Sequence, residues 1–378
     1  MSNTDGLDVP AKRQKTQEAF WSFVSQWTRR QLSGLLEQVL LSEQQEWIAA
    51  GWNERKSGRA GWRNGFYRRQ LLSPHGPLQV KVPRCRSSGL DCSLMFNRYQ
   101  RRVQDVDRIL RHAFLLGAST RGTAELAEQV FGGQISHQTV SRSLRWLDER
   151  LQQWRAQPIE PIYKVVYIDG MHVNCIEGDR MVMLVAGQRE AQGPLEVLDF
   201  CVSSGERCLD LLRSLRRRGL EGVELIVSDE SGAIRHAVEE VYPEVAWQHC
   251  TFHRLQALRN NIGTTDFRDA MVADAAEIFR CPTKLAAQER SLAWAGQWRQ
   301  RAAWAVQQFM DDLDDSLMFY SLPKDWWKRV RTNNPMERLI RTLRMRLQPM
   351  GCFHDGPAIE RAVFGQLARW HLLGTYTQ

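Results

Sequence analysis

Two aspartates stand where short apolar runs end. Asp169 follows KVVYI at 164–168, and Asp229 follows LIVS at 225–228, just before a turn and a helix. Carboxylates at the carboxyl ends of buried strands lie where open α/β sheets place their chemistry. If the two strands are parallel neighbours, about 4.8 Å apart, both side chains can hold the same cation. Oxygen ligands with open positions for phosphate favour Mg²⁺ or Mn²⁺ in such a place.

Glu337 has two interpretations. It stands three residues after Asn334, where it would be the partner in a capping box, with Pro335 at the first helical position. In the second interpretation it is a third metal carboxylate. Two ions about 3.5–4 Å apart, held by Asp169, Asp229 and Glu337, would support in-line displacement at phosphorus. The residues alone therefore favour metal-dependent phosphodiester chemistry.

The segment around the aspartates has the pattern of an α/β domain. Three strands joined by tight turns are predicted, and then helices alternate with strands. The predicted order is strands 164–173, 180–189 and 195–203, helix 206–218, strand 223–228, helix 233–241, strand 245–250 and a helix from about 253 to 262. By analogy with known folds, this order is that of the ribonuclease H-like fold. We predict such a catalytic domain over 163–265 and 329–378.

Residues 266–328 have almost no strand signal. Helical spacing dominates there, and five tryptophans are prominent: Trp294, Trp298, Trp304, Trp326 and Trp327. We predict an all-helical insertion between the sheet and the helix of Glu337. Stacking of a tryptophan on an unpaired base is one role for these side chains, and packing inside the insertion is the favoured alternative.

The composition is that of a soluble protein. The 378 residues suffice for two or three domains, and no apolar run approaches the roughly 18 residues of a membrane span. The polar segment 1–17 is not a signal peptide and is predicted to be disordered. Eight scattered cysteines suggest reduced thiols and a cytoplasmic protein. Cys85 and Cys92 could be half of a zinc site, but no second pair at ligand spacing follows.

Positive charge is concentrated in one segment. Between Arg55 and Arg111 there are 14 Lys or Arg against 3 Asp, a local charge of +11 in a chain whose net charge is +8. Aromatic and glycine residues interleave the arginines, which favours a nucleic-acid surface over a solvated basic face. We predict an N-terminal helical and Gly/Arg-rich region over 18–103, with Arg63, Arg68 and Arg69 as candidate DNA contacts.

Residues 104–157 are predicted to form a helix-turn-helix domain. A helix is followed by Gly132-Gly133 and by a second helix capped by Ser136, with Val140, Leu144 and Leu147 facing inward. The exposed, DNA-facing residues of this second helix would be His137, Gln138, Ser141, Arg142 and Arg145. A plain αα-hairpin is the alternative, and the basic segment upstream favours DNA binding.

These motifs together resemble the Mutator-type transposases of bacterial insertion sequences, a family with a DDE catalytic triad. WRNGFYRR and SPHGPLQVKVPRCR resemble its N-terminal signature, and GASTRG with ISHQTVSR resembles its helix-turn-helix. YIDG, VSDESGAIRHAVEEVYPEVAWQHCTFH and RTNNPMERLIRTLRMRLQPMGCF resemble the blocks around the three acidic residues. The likeness runs over nearly the whole chain, in order.

The resemblance implies roles for particular residues. Asp169, Asp229 and Glu337 would be the metal-binding triad for two Mg²⁺ or Mn²⁺ ions. The family's Cys-x-x-His pair, here Cys250 and His253, is expected to support the active site, with a metal-binding role as the less favoured alternative. Arg341 and Arg344 are candidate phosphate contacts. His249 stands where arginine is common, and Asn333 where threonine is common.

The resemblance also implies a mechanism and partners. Water activated at the site would cut the end of the element and leave a 3′-OH, which would then attack target DNA. The partners would be terminal inverted repeats and target DNA, bound by a homodimer or larger assembly at the nucleoid. Two alternatives stay open: a DNA-binding regulator without chemistry, and a structure-selective nuclease.

Overall fold

The structure, a computed structural model, describes residues 8–86, 95, 97, 99–160, 162–203, 208–229 and 231–373, with side chains described from residue 14 onward. The chain divides into two units, Met1–Leu144 and Arg145–Gln378. In the first unit, helix α1 (Asp8–Ile48) is followed by an antiparallel hairpin of strands β1 (Arg63–Ser73) and β2 (Gly76–Cys85). A core cluster joins α1 to the hairpin through Leu40, Leu71, Leu78, Val80 and Val82.

One expectation about this region is wrong. Residues 8–17, predicted to be disordered, belong to α1, because AKRQKTQE consists largely of good helix formers and extends the helix at little cost in free energy. Strand β2 continues to Cys85, and Pro83 lies opposite Phe66 in a two-stranded sheet, where every strand has an open edge that tolerates proline. Residues 1–7 and Cys92, the second cysteine of the zinc hypothesis, lie outside the described residues.

Three short helices complete the first unit: α2 (Gln104–Leu115), α3 (Thr120–Phe131) and α4 (His137–Ser143). Helix α3 ends at Gly132, whose φ of 63° is the left-handed conformation that glycine adopts without strain. The Ser136 side chain caps α4, as predicted, by accepting a hydrogen bond from the Thr139 N–H. The predicted helix does not continue through Leu147, since the Ser143 hydroxyl donates to the Val140 carbonyl and competes with the helical pattern.

The second unit begins with α5 (Trp146–Arg155), which the predicted segment 104–157 included and which packs against the last helix of this unit. A five-stranded mixed sheet follows in the spatial order β5-β4-β3-β6-β7. Its elements in chain order are β3 (Val165–Val173), β4 (Arg180–Gln188), β5 (Leu195–Ser203), α6 (Cys208–Arg217), β6 (Leu225–Ser228), α7 (Gly232–Val241), β7 (Ala246–His249) and α8 (Thr251–Ile262). These elements follow the predicted order, and all predicted bounds lie within a few residues of the observed ones.

Both faces of this sheet are covered. One face packs on α6 and α7 through a core that includes Val166, Ile168 and Ile226. Two later helices, α13 (Asn334–Leu347) and α14 (Gly356–Arg369), contact β3 and β5. Coverage on both sides explains the nearly continuous apolar runs from which the strands were predicted.

The segment between α8 and α13 is helical in all of its regular structure, as predicted. It contains α9 (Arg268–Ile278), α10 (Lys284–Trp298), α11 (Ala303–Met310), a 3₁₀ helix (Leu313–Ser321) and α12 (Lys324–Val330). Trp294 and Trp298 are buried and donate their indole N–H groups to α9, and Trp326 is buried too. Trp304 is exposed, so packing accounts for most of the tryptophans but not for this one.

No helix in the described ranges combines the length and the apolar character that crossing a lipid bilayer requires.

Candidate active site

The pairing of β3 with β6 brings the two aspartates to neighbouring positions. The strands are parallel, with Val165 opposite Leu225 and Tyr167 opposite Val227. Two residues after this last pair stand Asp169, within β3, and Asp229, directly after the end of β6. The expectation that these strands are parallel neighbours is therefore confirmed. The register of this one strand pair sets the positions of both aspartates.

Asp169 lies in a half-buried position among charged neighbours. Its pKa is raised to about 7 from an ordinary 3.8, mainly by burial and also by the negative charges of Asp229 and Glu337. The Gly170 N–H, which donates to the carboxylate at 2.8 Å, and the positive charge of Arg344 act in the opposite direction. Asp169 thus responds electrostatically to both other members of the predicted triad.

Asp229 follows the last residue of β6 and is also half-buried. Burial raises its pKa, and the nearby His253 opposes that rise. Its Oδ1 atom is buried and has no hydrogen-bond partner within the described part of the chain. A buried carboxylate oxygen without a donor costs free energy unless a cation or water satisfies it.

Glu337 lies in the first turn of α13, and its N–H donates to the Asn333 carbonyl at 2.9 Å. Its Oε1 is buried without a hydrogen-bond partner among the described residues. The capping-box interpretation is wrong. The N-cap is Asn333, not Asn334, and its side chain makes no capping hydrogen bond. Glu337 is therefore not engaged at the helix start and faces the other acidic residues.

The Cys-x-x-His pair lies against the same glutamate. Cys250, His253 and Glu337 have ligand atoms that all lie within 4.8 Å of one another, the one such group of three in the described ranges. His253 Nε2 is 3.9 Å from Glu337 Oε1. Asp169 and Asp229 do not join this compact group, so the three carboxylates are spread more widely than the Cys, His and Glu atoms.

Positive charge approaches the acidic residues from α13. Arg344 is exposed and lines a cavity of about 340 Å³ together with residues 171–174, which continue the strand of Asp169. Arg341 is exposed on the same helix, one turn earlier. The charge of Arg344 acts on Asp169, whereas the predicted role of Arg341 as a phosphate contact stays a prediction.

The model of the Mutator transposase family matches residues 8–371. The chain belongs to this family. It is 30% identical over 351 residues to the transposase for insertion sequence element IS406 of Burkholderia multivorans, with 88% of each chain covered. It is 28% identical to the transposase for element ISRM5 of Rhizobium meliloti, over 89% of this chain and 85% of the relative. A weak likeness to the Drosophila P element transposase strand transfer complex has 15% identity and a TM-score of 0.31, covering 73% of this chain and 92% of that one.

The two departures from the family pattern differ in their surroundings. His249 ends β7 and is buried, and burial first, then the charges of Arg254 and His253, lower its pKa to about 3. It is therefore neutral at any physiological pH. Asn333 is fully buried and donates its side-chain amide to the Ile168 carbonyl at 3.3 Å, next to Asp169. No local pattern in the sequence predicts this contact, because it joins two residues that are 165 positions apart in the chain.

The residues of this transposase that were predicted to read DNA differ in their exposure and in whether they lie on α4. His137, Gln138 and Arg142 are exposed on α4, as predicted. Ser141 is only half-buried, not fully exposed. Arg145 is exposed but does not lie on this helix, because α4 ends at residue 143 and Arg145 is the N-cap of α5 in the second unit.

The three arginines of the hairpin that were predicted to contact DNA differ in the contacts of their side chains. Arg68 is exposed on β1. Arg63 instead donates to the carbonyls of Ala50 and Gly51 and lies over the Trp52 ring, with 5.0 Å between guanidinium carbon and ring centroid. Arg69 donates to carbonyls of the loop that follows β2. Two of the three therefore hold loops in place within the first unit, and Arg68 is the better-placed candidate for phosphate.

Proposed function

We propose that this chain is an insertion-sequence transposase that cuts DNA at the ends of its element and joins the resulting 3′-OH ends to target DNA. Asp169, Asp229 and Glu337 are its catalytic carboxylates. The five-stranded sheet with its flanking helices is proposed to be a ribonuclease H-like core, since three hairpin-connected strands precede the alternating part and β3 stands at the centre of the sheet. The related proteins named above, transposases for insertion sequences, support the choice of substrate.

The observation that carries the proposal is the convergence of three carboxylates from distant parts of the chain. Asp169 comes from β3, Asp229 from the end of β6 and Glu337 from α13, and the pKa of Asp169 responds to both of the others. Like charges brought together in a half-buried place destabilise the fold unless a cation is bound between them. Because the three carboxylates lower the stability of the metal-free fold, their convergence supports a functional role.

The donor set fits divalent cations of the Mg²⁺ or Mn²⁺ class. Asp229 Oδ1 and Glu337 Oε1 are buried carboxylate oxygens with no hydrogen-bond partner among the described residues, and oxygen is the ligand such ions prefer. Two ions bound there would lower the barrier to in-line displacement by stabilising the attacking and the leaving oxygen. Asp169, which responds to both partners, is the natural shared ligand, with Asp229 and Glu337 as the outer ones.

The chain's other residues near the site would bind and orient DNA. Arg344 and Arg341 supply positive charge for the phosphate on either side of the scissile bond. No nucleophilic side chain is needed, because water and then the 3′-OH attack phosphorus in turn. In the first unit, the α3–α4 pair would dock as a helix-turn-helix, with His137, Gln138 and Arg142 facing base edges.

Assembly and place of action follow from the same chemistry. Joining two element ends to one target requires both ends to be held together, so we infer a homodimer or a larger assembly on DNA. The protein would act at the nucleoid, in the cytoplasm of the bacterial cell. Light scattering of the purified protein with and without end DNA tests the assembly, and a single protomer holding one end would contradict it.

The decisive experiment is a cleavage and strand-transfer assay on DNA carrying the element's terminal inverted repeats. With Mg²⁺, the wild-type chain should nick at the repeat and join the 3′-OH to a target plasmid. Glu337→Gln should abolish both steps, because the amide retains the shape and loses the charge. Glu289→Gln, on the exposed side of α10, is the matched control and should retain activity.

Three results would separate the alternatives. Cutting and joining that depend on the repeat, and that are lost in Glu337→Gln, support the proposal. Binding to the repeat without any cutting would instead identify a regulator. Cutting that ignores the repeat, or that survives in Glu337→Gln, would overturn the assignment in favour of a less selective nuclease or of another site.

A further inference from the structure

We propose that Cys250, His253 and Glu337 form a second metal site, one for a thiophilic divalent ion of the Zn²⁺ class. The three ligand atoms lie within 4.8 Å of one another. In a tetrahedral site, with ligands at about 2.0–2.3 Å from zinc, neighbouring ligand atoms are roughly 3.3–3.8 Å apart. The 3.9 Å between His253 Nε2 and Glu337 Oε1 therefore needs only a small movement of side chains.

Backbone N–H groups surround the sulfur of the cluster. Cys250 is fully buried at the N-cap of α8, and burial raises the pKa of its thiol, while backbone hydrogen bonds from His253, Asn333 and Phe252 oppose that rise. An ion that binds this sulfur must therefore displace the thiol proton. Cys250 Sγ accepts the Asn333 N–H at 3.2 Å. His253 is three residues further on, so the first turn of α8 carries both side chains towards α13. On binding the ion, the thiol would release its proton to solvent, and the thiolate sulfur would form the new bond.

Two other atoms of the cluster have no hydrogen-bond partner in the part of the chain that the structure describes. His253 Nδ1 and Glu337 Oε1 are both buried without a hydrogen bond among the described residues. The side chains of His253 and Glu337 are still 35% and 27% exposed, so solvent reaches one side of the cluster. Three protein ligands with an open fourth position for water are a common zinc arrangement.

The ligand types separate this site from the carboxylate site. Thiolate and imidazole select zinc, whereas Mg²⁺ and Mn²⁺ prefer carboxylate and water. Both sites use Glu337, so they compete for it. A zinc-class ion bound to Cys250 and His253 would withdraw Glu337 from Asp169, and this last consequence alone depends on the proposed function.

Cobalt(II) is the probe, because a cobalt–thiolate bond gives a charge-transfer band in the near ultraviolet that oxygen and nitrogen ligands do not give. Metal-free, reduced full-length protein is titrated with Co²⁺ without DNA. The wild type should develop the band at one equivalent, and added Zn²⁺ should remove it. Cys250→Ser should lack the band, whereas Cys281→Ser, a half-buried cysteine elsewhere, should keep it.

Two further variants keep the test independent of folding defects and of transposition. His253→Gln retains the sulfur and should bind Co²⁺ at least tenfold more weakly. Asp169→Asn should keep the band although it removes a proposed catalytic carboxylate, so a failure of the transposase proposal leaves this result unaffected. The zinc site is refuted if wild type and Cys250→Ser give the same spectrum, or if Cys281→Ser loses the band as well.

Discussion

Replacing Asp169 by asparagine should make the metal-free protein more stable at neutral pH, although it removes a proposed catalytic residue. In the unfolded chain this carboxyl loses its proton near its ordinary pKa of 3.8, whereas the folded protein holds the proton until about pH 7. Between these values the folded state binds more protons, so the stability of the wild type falls as pH rises. Asparagine has no proton to lose, so its variant should not show this loss.

The size of the effect follows from the interval between the two pKa values. About three pH units at roughly 1.4 kcal/mol each give an upper limit of about 4 kcal/mol, fully developed only above pH 7. For a domain of this size, 1 kcal/mol displaces the melting temperature by about 2–4 °C. Thermal unfolding of wild type and Asp169→Asn is therefore measured in EDTA from pH 4 to pH 8. The melting temperature of the variant should exceed that of the wild type increasingly across this range.

Two comparisons make the test specific. Asp179→Asn removes an exposed carboxylate in the turn between β3 and β4, and its profile should follow the wild type at each pH. Adding Mg²⁺ at pH 8 should stabilise the wild type and leave Asp169→Asn nearly unchanged, because only the former has the shared ligand. A difference between wild type and Asp169→Asn that stays constant from pH 4 to pH 8 would refute the electrostatic account of the site.

Three other predictions concern separate parts of the molecule. Arg218→Ala leaves the buried Asp199 carboxylate with one ion-pair partner fewer, and it should lower the free energy of unfolding by about 3 kcal/mol. Loss of the exposed Arg213 should cost under 1 kcal/mol. Urea denaturation measures both. Arg142→Ala should weaken binding to the terminal repeat by about 1–3 kcal/mol relative to unrelated DNA in fluorescence anisotropy, and an equal loss on both DNAs would assign it to phosphate instead. Asn333→Ala removes the donor to the buried Ile168 carbonyl. It should cost about 1–3 kcal/mol in urea denaturation and slow Mg²⁺-dependent cutting, and unchanged values of both would remove the structural role of this side chain.

The sheet and two of the three acidic residues could be predicted because local patterns and topology agree there. Each strand of the second unit is an apolar run bounded by turn residues, and strands that are buried on both faces show this signal most clearly. Once β3 and β6 are parallel neighbours, their register decides the positions of Asp169 and Asp229 without further information. The element order along the chain predicts that neighbourhood only by analogy with a known fold.

The predictions that failed depend on contacts that a local pattern does not contain. The periodicity of Val140, Leu144 and Leu147 describes one apolar face correctly, since all three are buried, but it does not reveal that the helix breaks after Ser143. An arginine-rich strand predicts a phosphate surface, yet Arg63 is used to bind the carbonyls of a neighbouring loop. A count of charged residues gives the number of arginines, but it does not show how many of them already bind other groups of the folded protein.

Asn333 shows how the precision of the site depends on a residue with no chemistry of its own. Local rules assign an asparagine at a helix start to capping, and its side chain would then bind the first turn of α13. Instead, its amide binds the Ile168 carbonyl, 165 residues away in the chain, and its backbone N–H binds Cys250 Sγ, 83 residues away. The carbonyl and the sulfur belong to buried residues, so leaving either of them without its donor would cost free energy. The side chain of Asn333 thereby ties β3 to the start of α13, and its backbone N–H ties α8 to the same point, next to Asp169, Cys250 and Glu337.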